Sequence, residues 1–308
     1  MNHHVRRAEE IGLEAPDALA GRAEGLRRAT LIGRPEGSVH TGFALVSLDP
    51  GGWVGTHVHS TEQSFFVLDG NPEIVLDGRA YRLTAGDCGL APVGVPHAWR
   101  SDEESRWLEM NAPAPRVLGP PDTFWTREEL PPSGTAEPPD IRDPRSRTFF
   151  HLGEGQMDVD NLKVGAPVDA PTVSASMATA LLAYSGIAVK MLVDQRLGAA
   201  LHTMFMVEYQ PGGVAQPHDH PLEETYYMLE GEVEAMADDE HFVLRPGDVF
   251  WTGVGCVHAF WNKSGRRVRW LETQSPQPPA NHSYRFNRDW DYLAEKLEEE
   301  RDEPDLPR

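Results

Sequence analysis

Four residues in the second half of the chain have the types and spacing of a metal-ligand set. His218-Asp219-His220 lies in an extended stretch, where residues two apart face the same side. Both imidazoles therefore aim at one face and Asp219 at the other. Glu224 follows around a short turn into the next strand, and His258 sits on a distant strand after the turn Gly253-Val254-Gly255. Three neutral nitrogens and one carboxylate suit Fe²⁺, Mn²⁺, Ni²⁺ or Zn²⁺. A set of this kind in a barrel leaves coordination positions open for a small ligand, as a closed structural site does not.

The same pattern recurs earlier in the chain. A constant offset of 161 positions carries His57 onto His218, His59 onto His220, Gln63 onto Glu224 and His97 onto His258. It also carries Gly51, Gly70, Gly86 and Gly94 onto Gly212, Gly231, Gly247 and Gly255, with no gap from Ala29/Lys190 to Ser101/Asn262. A two-residue insertion then falls in Lys263–Arg267, after which Arg106–Glu109 matches Arg269–Glu272, both reading RWLE. A register held this long marks a tandem duplication of one unit.

Positioning these residues is the work of short strands. Thr41–Leu48 and His202–Tyr209 are rich in β-formers and end at Pro-Gly-Gly, which predicts a strand followed by a turn. Ser64–Leu68 and Thr225–Leu229 run into Asp-Gly and Glu-Gly turns. About eight such strands per copy predict an all-β protein of two closed barrels or jelly rolls. Nine prolines between Pro113 and Pro144 predict an extended linker, placing an N-terminal domain at 1–135 and a C-terminal domain at 136–308. Trp290, Leu293 and Leu297 share a stripe, which predicts one helix from Arg288 to Glu300.

These motifs resemble those of the cupin superfamily. Gly212, His218, His220, Glu224 and Gly231 match the first cupin motif without departure. Gly247, Gly255, His258 and Asn262 match the second, with Gly253 in place of its proline. In the first copy Gln63 replaces the glutamate and Ser101 the asparagine, while Pro92 is kept. The resemblance implies a bicupin, with His218, His220, Glu224 and His258 as ligands of the better site and Glu224 also able to take a proton in turnover. At the first site, His57, His59 and His97 would bind metal with the Gln63 oxygen as a weak neutral ligand, or as a three-histidine set with Gln63 only hydrogen-bonding. Otherwise that copy is a retained scaffold. Glu62, next to Gln63, should point away by strand alternation.

Strand parity suggests what surrounds each site. Tyr226, Met228, Phe260 and Asn262 share parity with second-site ligands, and His202 and Met204 lie on an earlier strand that could also line its cavity. Phe65 and Trp99 are their counterparts in the first copy. Glu272 is expected either to act as an internal acid or base or to pair with Arg269. Cys256, two residues before His258, is read first as a packed small residue and otherwise as one that approaches the metal, and His3 and His4 as a flexible terminus not counted among the ligands.

The expected function is that of a metal-dependent enzyme acting on a small organic molecule, with an Fe²⁺ dioxygenase first. The alternatives are a non-oxidative isomerase, decarboxylase or hydrolase using Mn²⁺, Ni²⁺ or Zn²⁺, and a non-enzymatic binding protein. A net charge of −20 argues against nucleic acid and anionic lipid as partners. There is no apolar run long enough to span a membrane. With only Cys88 and Cys256, a disulfide framework is not expected, and a reducing, cytoplasmic setting is the default. The run from Glu298 to Asp305 reads as a solvated acidic end. Cupin barrels pair through sheet edges, so a homodimer is one expectation, although a bicupin can satisfy that pairing internally.

Overall fold

The computed structural model describes residues 2–16, 19, 21–116, 122–127, 130–132, 134–140, 142–153, 155–157, 184–277 and 285–286. The helix expected at Arg288–Glu300 and the acidic run after it lie outside these residues. No helix among the described residues is long and apolar enough to cross a membrane.

Twenty strands are described. The first eleven are β1 (His3–Arg6), β2 (Ala23–Ile32), β3 (Gly42–His59), β4 (Glu62–Asp69), β5 (Glu73–Leu76), β6 (Arg79–Arg82), β7 (Asp87–Ala91), β8 (His97–Arg100), β9 (Ser105–Ala112), β10 (Thr123–Trp125) and β11 (Phe149–His151). The remaining nine are β12 (Tyr184–Val193), β13 (Thr203–Asp219), β14 (Glu223–Glu230), β15 (Val233–Ala237), β16 (Glu240–Leu244), β17 (Val249–Thr252), β18 (His258–Trp261), β19 (Val268–Ser275) and β20 (Arg285–Phe286).

They form two curled antiparallel sheets of the same topology. One runs β11-β7-β4-β9-β3-β8-β5-β6, the other β1-β17-β14-β19-β13-β18-β15-β16. The first strand of each list comes from outside the repeat, and the two are exchanged. The N-terminal β1 adds to the second sheet, beside β17, while β11, which follows the first repeat, adds to the first sheet beside β7. His3 is therefore not a flexible end as its sequence context suggested: it is a strand residue, opposite Thr252.

The Pro-Gly-Gly segments are not turns between strands. They kink single long strands, β3 and β13, which continue pairing on both sides. Gly51 and Gly212 have φ of 77° and 79°, conformations that favour glycine. A Cβ on the following Gly52 or Gly213 would lie 2.8 Å from the Asp49 carbonyl oxygen or 2.9 Å from that of Gln210. The kink lets one strand serve two parts of a barrel wall. It also breaks simple alternation, so residues before it cannot be assigned a face by counting back from the histidines.

Side-chain packing divides into three layers. Val46, Phe65, Trp99 and Trp107 fill the first barrel, and Phe205, Tyr226, Phe260 and Trp270 the second. Between the barrels lie residues of both copies, among them Ile32, Phe43, Leu192, Val193, Met204 and Trp251. Each such aliphatic or aromatic side chain, fully buried, contributes about 1.5–3 kcal/mol. Two buried carboxylates complete the contact. Glu223, preceding Glu224, accepts hydrogen bonds from the backbone N–H groups of Val39, His40 and Thr41 and from the Ser38 hydroxyl. Glu62, preceding Gln63, accepts from the N–H groups of Ala200 and Leu201, at 2.9 and 2.6 Å. Alternation thus sends each carboxylate out of its own barrel and into the other.

Candidate metal centres

In the second barrel, β13 supplies His218, the residue just past its end is His220, β14 supplies Glu224 and β18 supplies His258. His218 and His258 are direct cross-strand partners, with ring centroids 4.3 Å apart, and His220 lies 5.0 Å from His258. The Glu224 Oε2 atom is 2.9 Å from His220 Nε2 and 3.2 Å from His258 Nε2. Two ring tautomers are set by the turns carrying them: the Nδ1–H groups of His218 and His258 donate to the carbonyls of Gln216 and Cys256, at 2.7 and 3.0 Å. That leaves each Nε2 lone pair facing inward. Burial, followed by His258 and His220, pushes the His218 imidazole well below its usual range, so it stays neutral and able to ligate. Burial would raise the Glu224 carboxyl, but His220 and His258 outweigh it and hold it well below the usual carboxylate range. The converging donors and their protonation states fit a divalent transition metal.

Around these four stand groups that the sequence did not single out or left ambiguous. The Tyr226 hydroxyl donates to Glu224 Oε2 and lies 3.1 Å from His258 Nε2. The Gln274 amide donates to Glu224 Oε1 at 2.5 Å, from the position directly across the strand pair. Gln274 was missed by sequence reasoning, although the alternation Trp270-Glu272-Gln274, which begins inside RWLE, puts it on the same face as Glu272. Glu272 does not pair with Arg269, which bonds Glu208 at 3.0 Å. Instead its Oε2 accepts from Trp270 Nε1 at 2.8 Å, inside the barrel. Burial, and next the charge of Glu224, push its carboxyl well above the usual carboxylate range.

The predicted cavity residues divide. Tyr226, Met228 and Phe260 line the interior. His202 and Met204 do not: both face the other barrel, with His202 Nε2 2.8 Å from the Ser64 hydroxyl and Met204 in the layer between the barrels. The kink in β13 is the reason, and Phe205, Val207 and Tyr209 are the inward residues of that strand. Asn262 is also structural. Its amide donates to the carbonyls of Tyr209, Gln210 and Arg266, tying a turn at the barrel's end. Cys256 groups with His3 and Asp238 and not with the three ligand histidines.

The first centre has the same frame with different contents. His57 and His97 are cross-strand partners with ring centroids 4.2 Å apart, and their Nδ1–H groups donate to Gly55 and Val95 carbonyls, at 2.8 and 3.0 Å. His59 Nδ1 lies 2.9 Å from the Thr123 hydroxyl on β10. Burial, with the neighbouring imidazoles, holds His59 down to about 2 and His97 down to about 3. The buried His97 Nε2 has no hydrogen-bond partner among the described residues. Such an orphaned inward nitrogen fits a bound cation. Gln63, however, presents its Nε2 to His59 Nε2 at 3.3 Å and to Asn111 Oδ1 at 3.4 Å, an arrangement of donor and not of ligand. Phe65 stands where Tyr226 stands in the other copy, and Glu109 is neutralised by Arg28 at 3.3 Å, whose counterpart is Val189. The first pocket is thus left without the carboxylate and phenol that surround the second set of histidines.

Two segments, residues 44–111 and 205–273, match the cupin domain family. The protein is a bicupin, two tandem cupin barrels in one chain. Over 237 residues it is 28% identical to quercetin 2,3-dioxygenase of Bacillus subtilis (strain 168), an alignment covering 71% of this chain and 68% of that protein. The fold is similar to oxalate decarboxylase of Bacillus subtilis, whose structure concerns its Mn(II) centres: TM-score 0.60, 14% identity, 93% of this chain and 80% of that one. It is equally similar to a formate complex of Lactobacillus farciminis oxalate decarboxylase, with TM-score 0.59, 17% identity and coverage of 93% and 89%.

Proposed function

We propose that this bicupin is a metal-dependent dioxygenase acting on a small organic molecule, with its chemistry in the second barrel. The observation that carries the reading is the arrangement at Glu224: a carboxylate oxygen placed between two ligand imidazoles and the Tyr226 hydroxyl, in a barrel interior whose apolar side chains include Met228 and Phe260. The sequence similarity to a quercetin dioxygenase supports the same reading. An apolar wall favours an aromatic or hydroxy-carbonyl substrate over a small dianion, whose remaining oxygens would find few donors there.

A divalent metal held by His218, His220, His258 and Glu224, with Fe²⁺ first among Fe²⁺, Mn²⁺, Ni²⁺ and Zn²⁺, would polarise a substrate oxygen and orient it toward O₂. The protein's own groups do the rest. Glu224 Oε2 accepts the proton that a substrate hydroxyl must lose to bind as an anion. Tyr226 holds that oxygen through its hydroxyl, and Gln274 fixes the other one. Glu272, its carboxyl pushed up by burial and by Glu224, holds its proton more tightly than a free carboxylic acid and so limits repulsion of an anionic substrate.

The test is elemental analysis of untagged protein followed by O₂ uptake on flavonols, catechols, β-diketones and hydroxy-ketones. About one equivalent of redox-active metal with O₂ consumption on one of these classes supports the reading. Turnover without O₂ consumption, or no metal above background, overturns it.

A further inference from the structure

The exchanged N-terminal strand brings a third set of ligand-type side chains together, outside both barrel centres. We propose that His3 Nδ1, Cys256 Sγ and the Asp238 carboxylate form a binding site for a divalent cation of the Zn²⁺ class, which clamps β1 onto the second barrel. The three candidate donor atoms lie within 4.8 Å of one another. Nδ1 of His3 and Oδ2 of Asp238 are 3.6 Å apart, close to the tetrahedral edge set by metal–ligand bonds of about 2.0–2.3 Å.

The histidine points to a ligand independently of that clustering. Its side chain is only 4% exposed, packed against the Phe242 ring, and its Nδ1 has no hydrogen-bond partner among the described residues. Its other nitrogen, Nε2, faces the Glu240 carboxylate at 3.6 Å. With hydrogen on Nε2 toward Glu240, the lone pair lies on Nδ1 toward Asp238 and Cys256, the arrangement a metal bound there would select. Asp238, exposed at the turn joining β15 and β16, gives the cation access from solvent. Binding releases one proton from the Cys256 thiol, as the sulfur–hydrogen bond is replaced by a sulfur–metal bond. Water completes the coordination.

The surrounding backbone is built for the docked strand. Gly253 N–H donates to the Asn2 carbonyl at 2.8 Å, and the Asn2 amide donates to the Val254 carbonyl at 2.8 Å. Proline, which the cupin motif expects at 253 and the first copy keeps as Pro92, has no N–H to give. A Cβ there would also sit 2.1 Å from the Asn2 side-chain oxygen. The departure from the motif at Gly253 is thus accounted for by β1. The clamped turn also carries the Cys256 carbonyl that orients His258.

Cobalt(II) titration of the full metal-free chain tests the site, because neither barrel centre contains sulfur. The expected result is a thiolate-to-cobalt charge-transfer band in the near ultraviolet whose amplitude at saturation corresponds to one thiolate-bound cobalt per chain, whatever the barrel centres take up. It is kept in Cys88→Ser and lost in Cys256→Ser and in His3→Ala. Glu240→Gln keeps β1 in place and should weaken binding roughly tenfold. Absence of the band in the folded wild-type protein, a band that survives Cys256→Ser, or one indifferent to His3→Ala overturns the proposal.

Discussion

Replacing Glu223 by alanine takes an acceptor from three backbone N–H groups at once. Val39, His40 and Thr41 donate to this carboxylate at 2.9, 3.1 and 3.1 Å, and the glutamate is 2% exposed. A buried donor left without a partner costs about 1–3 kcal/mol. Ser38 keeps the Thr41 carbonyl as a partner, so its hydroxyl adds little. Thr41 N–H keeps the Ser38 hydroxyl oxygen at 3.0 Å, so two orphaned amides predict a loss of about 2–6 kcal/mol, at the low end if water fills the vacated space. Glu223→Gln retains one carbonyl oxygen but turns an amide toward the donors, and should cost about 2 kcal/mol. The assay is urea denaturation of the metal-free chain, followed by tryptophan fluorescence, with the exposed Glu232→Ala as reference. Glu62→Ala, which likewise orphans two N–H groups, those of Ala200 and Leu201, should cost a comparable amount. A Glu223→Ala cost below about 1 kcal/mol, or one equal to that of Glu232→Ala, would refute the assignment of this carboxylate as an inter-barrel clamp.

Gln274→Leu leaves the four ligands intact but frees Glu224, and should weaken metal retention roughly 10–100-fold, measured by competition with a chromophoric chelator. Tyr226→Phe converts this corner to the composition around Phe65; metal content should hold while kcat falls roughly tenfold, the equivalent of about 1.4 kcal/mol for one hydrogen bond to a charged group. Gln63→Glu supplies the first barrel with its missing carboxylate, and metal per chain should rise by about one equivalent over wild type by elemental analysis. Metal-free protein should lose stability in acid. The folded-state pKa values of His59 and His97 lie near 2 and 3, below the unfolded 6.5, so only the unfolded chain takes up these protons between pH 6.5 and 3. Stability is therefore fully present above pH 6.5, and falls below it by about 1.4 kcal/mol per pH unit for each such histidine. A denaturation midpoint independent of pH across that range would contradict this.

The two barrels and their histidines were legible in the sequence because a register of His-x-His, glutamate or glutamine, and distant histidine is written twice at one offset. What escaped has physical causes. Alternation fails across a kink, so His202 and Met204 were placed in a chamber when they pack between the barrels. Gln274 bonds Glu224 across a strand pair, and pairing between strands fifty positions apart is not readable from one copy. His3 looked like a loose end because no local pattern shows that β1 adds to a strand more than two hundred residues away. The opposite facing of Glu62 from Gln63, by contrast, followed directly from strand parity. Its destination in the other barrel did not, because parity says nothing of what lies outside a sheet.

The central claim is that the second centre does the chemistry and the first does not. Measuring kcat/KM for O₂ consumption in Glu224→Ala and Gln63→Ala, each at full occupancy of its remaining metal, tests it directly. The account predicts a loss of several orders of magnitude for Glu224→Ala and a change of less than about threefold for Gln63→Ala, equivalent to under about 0.7 kcal/mol. Activity that survives Glu224→Ala and disappears in Gln63→Ala would contradict it.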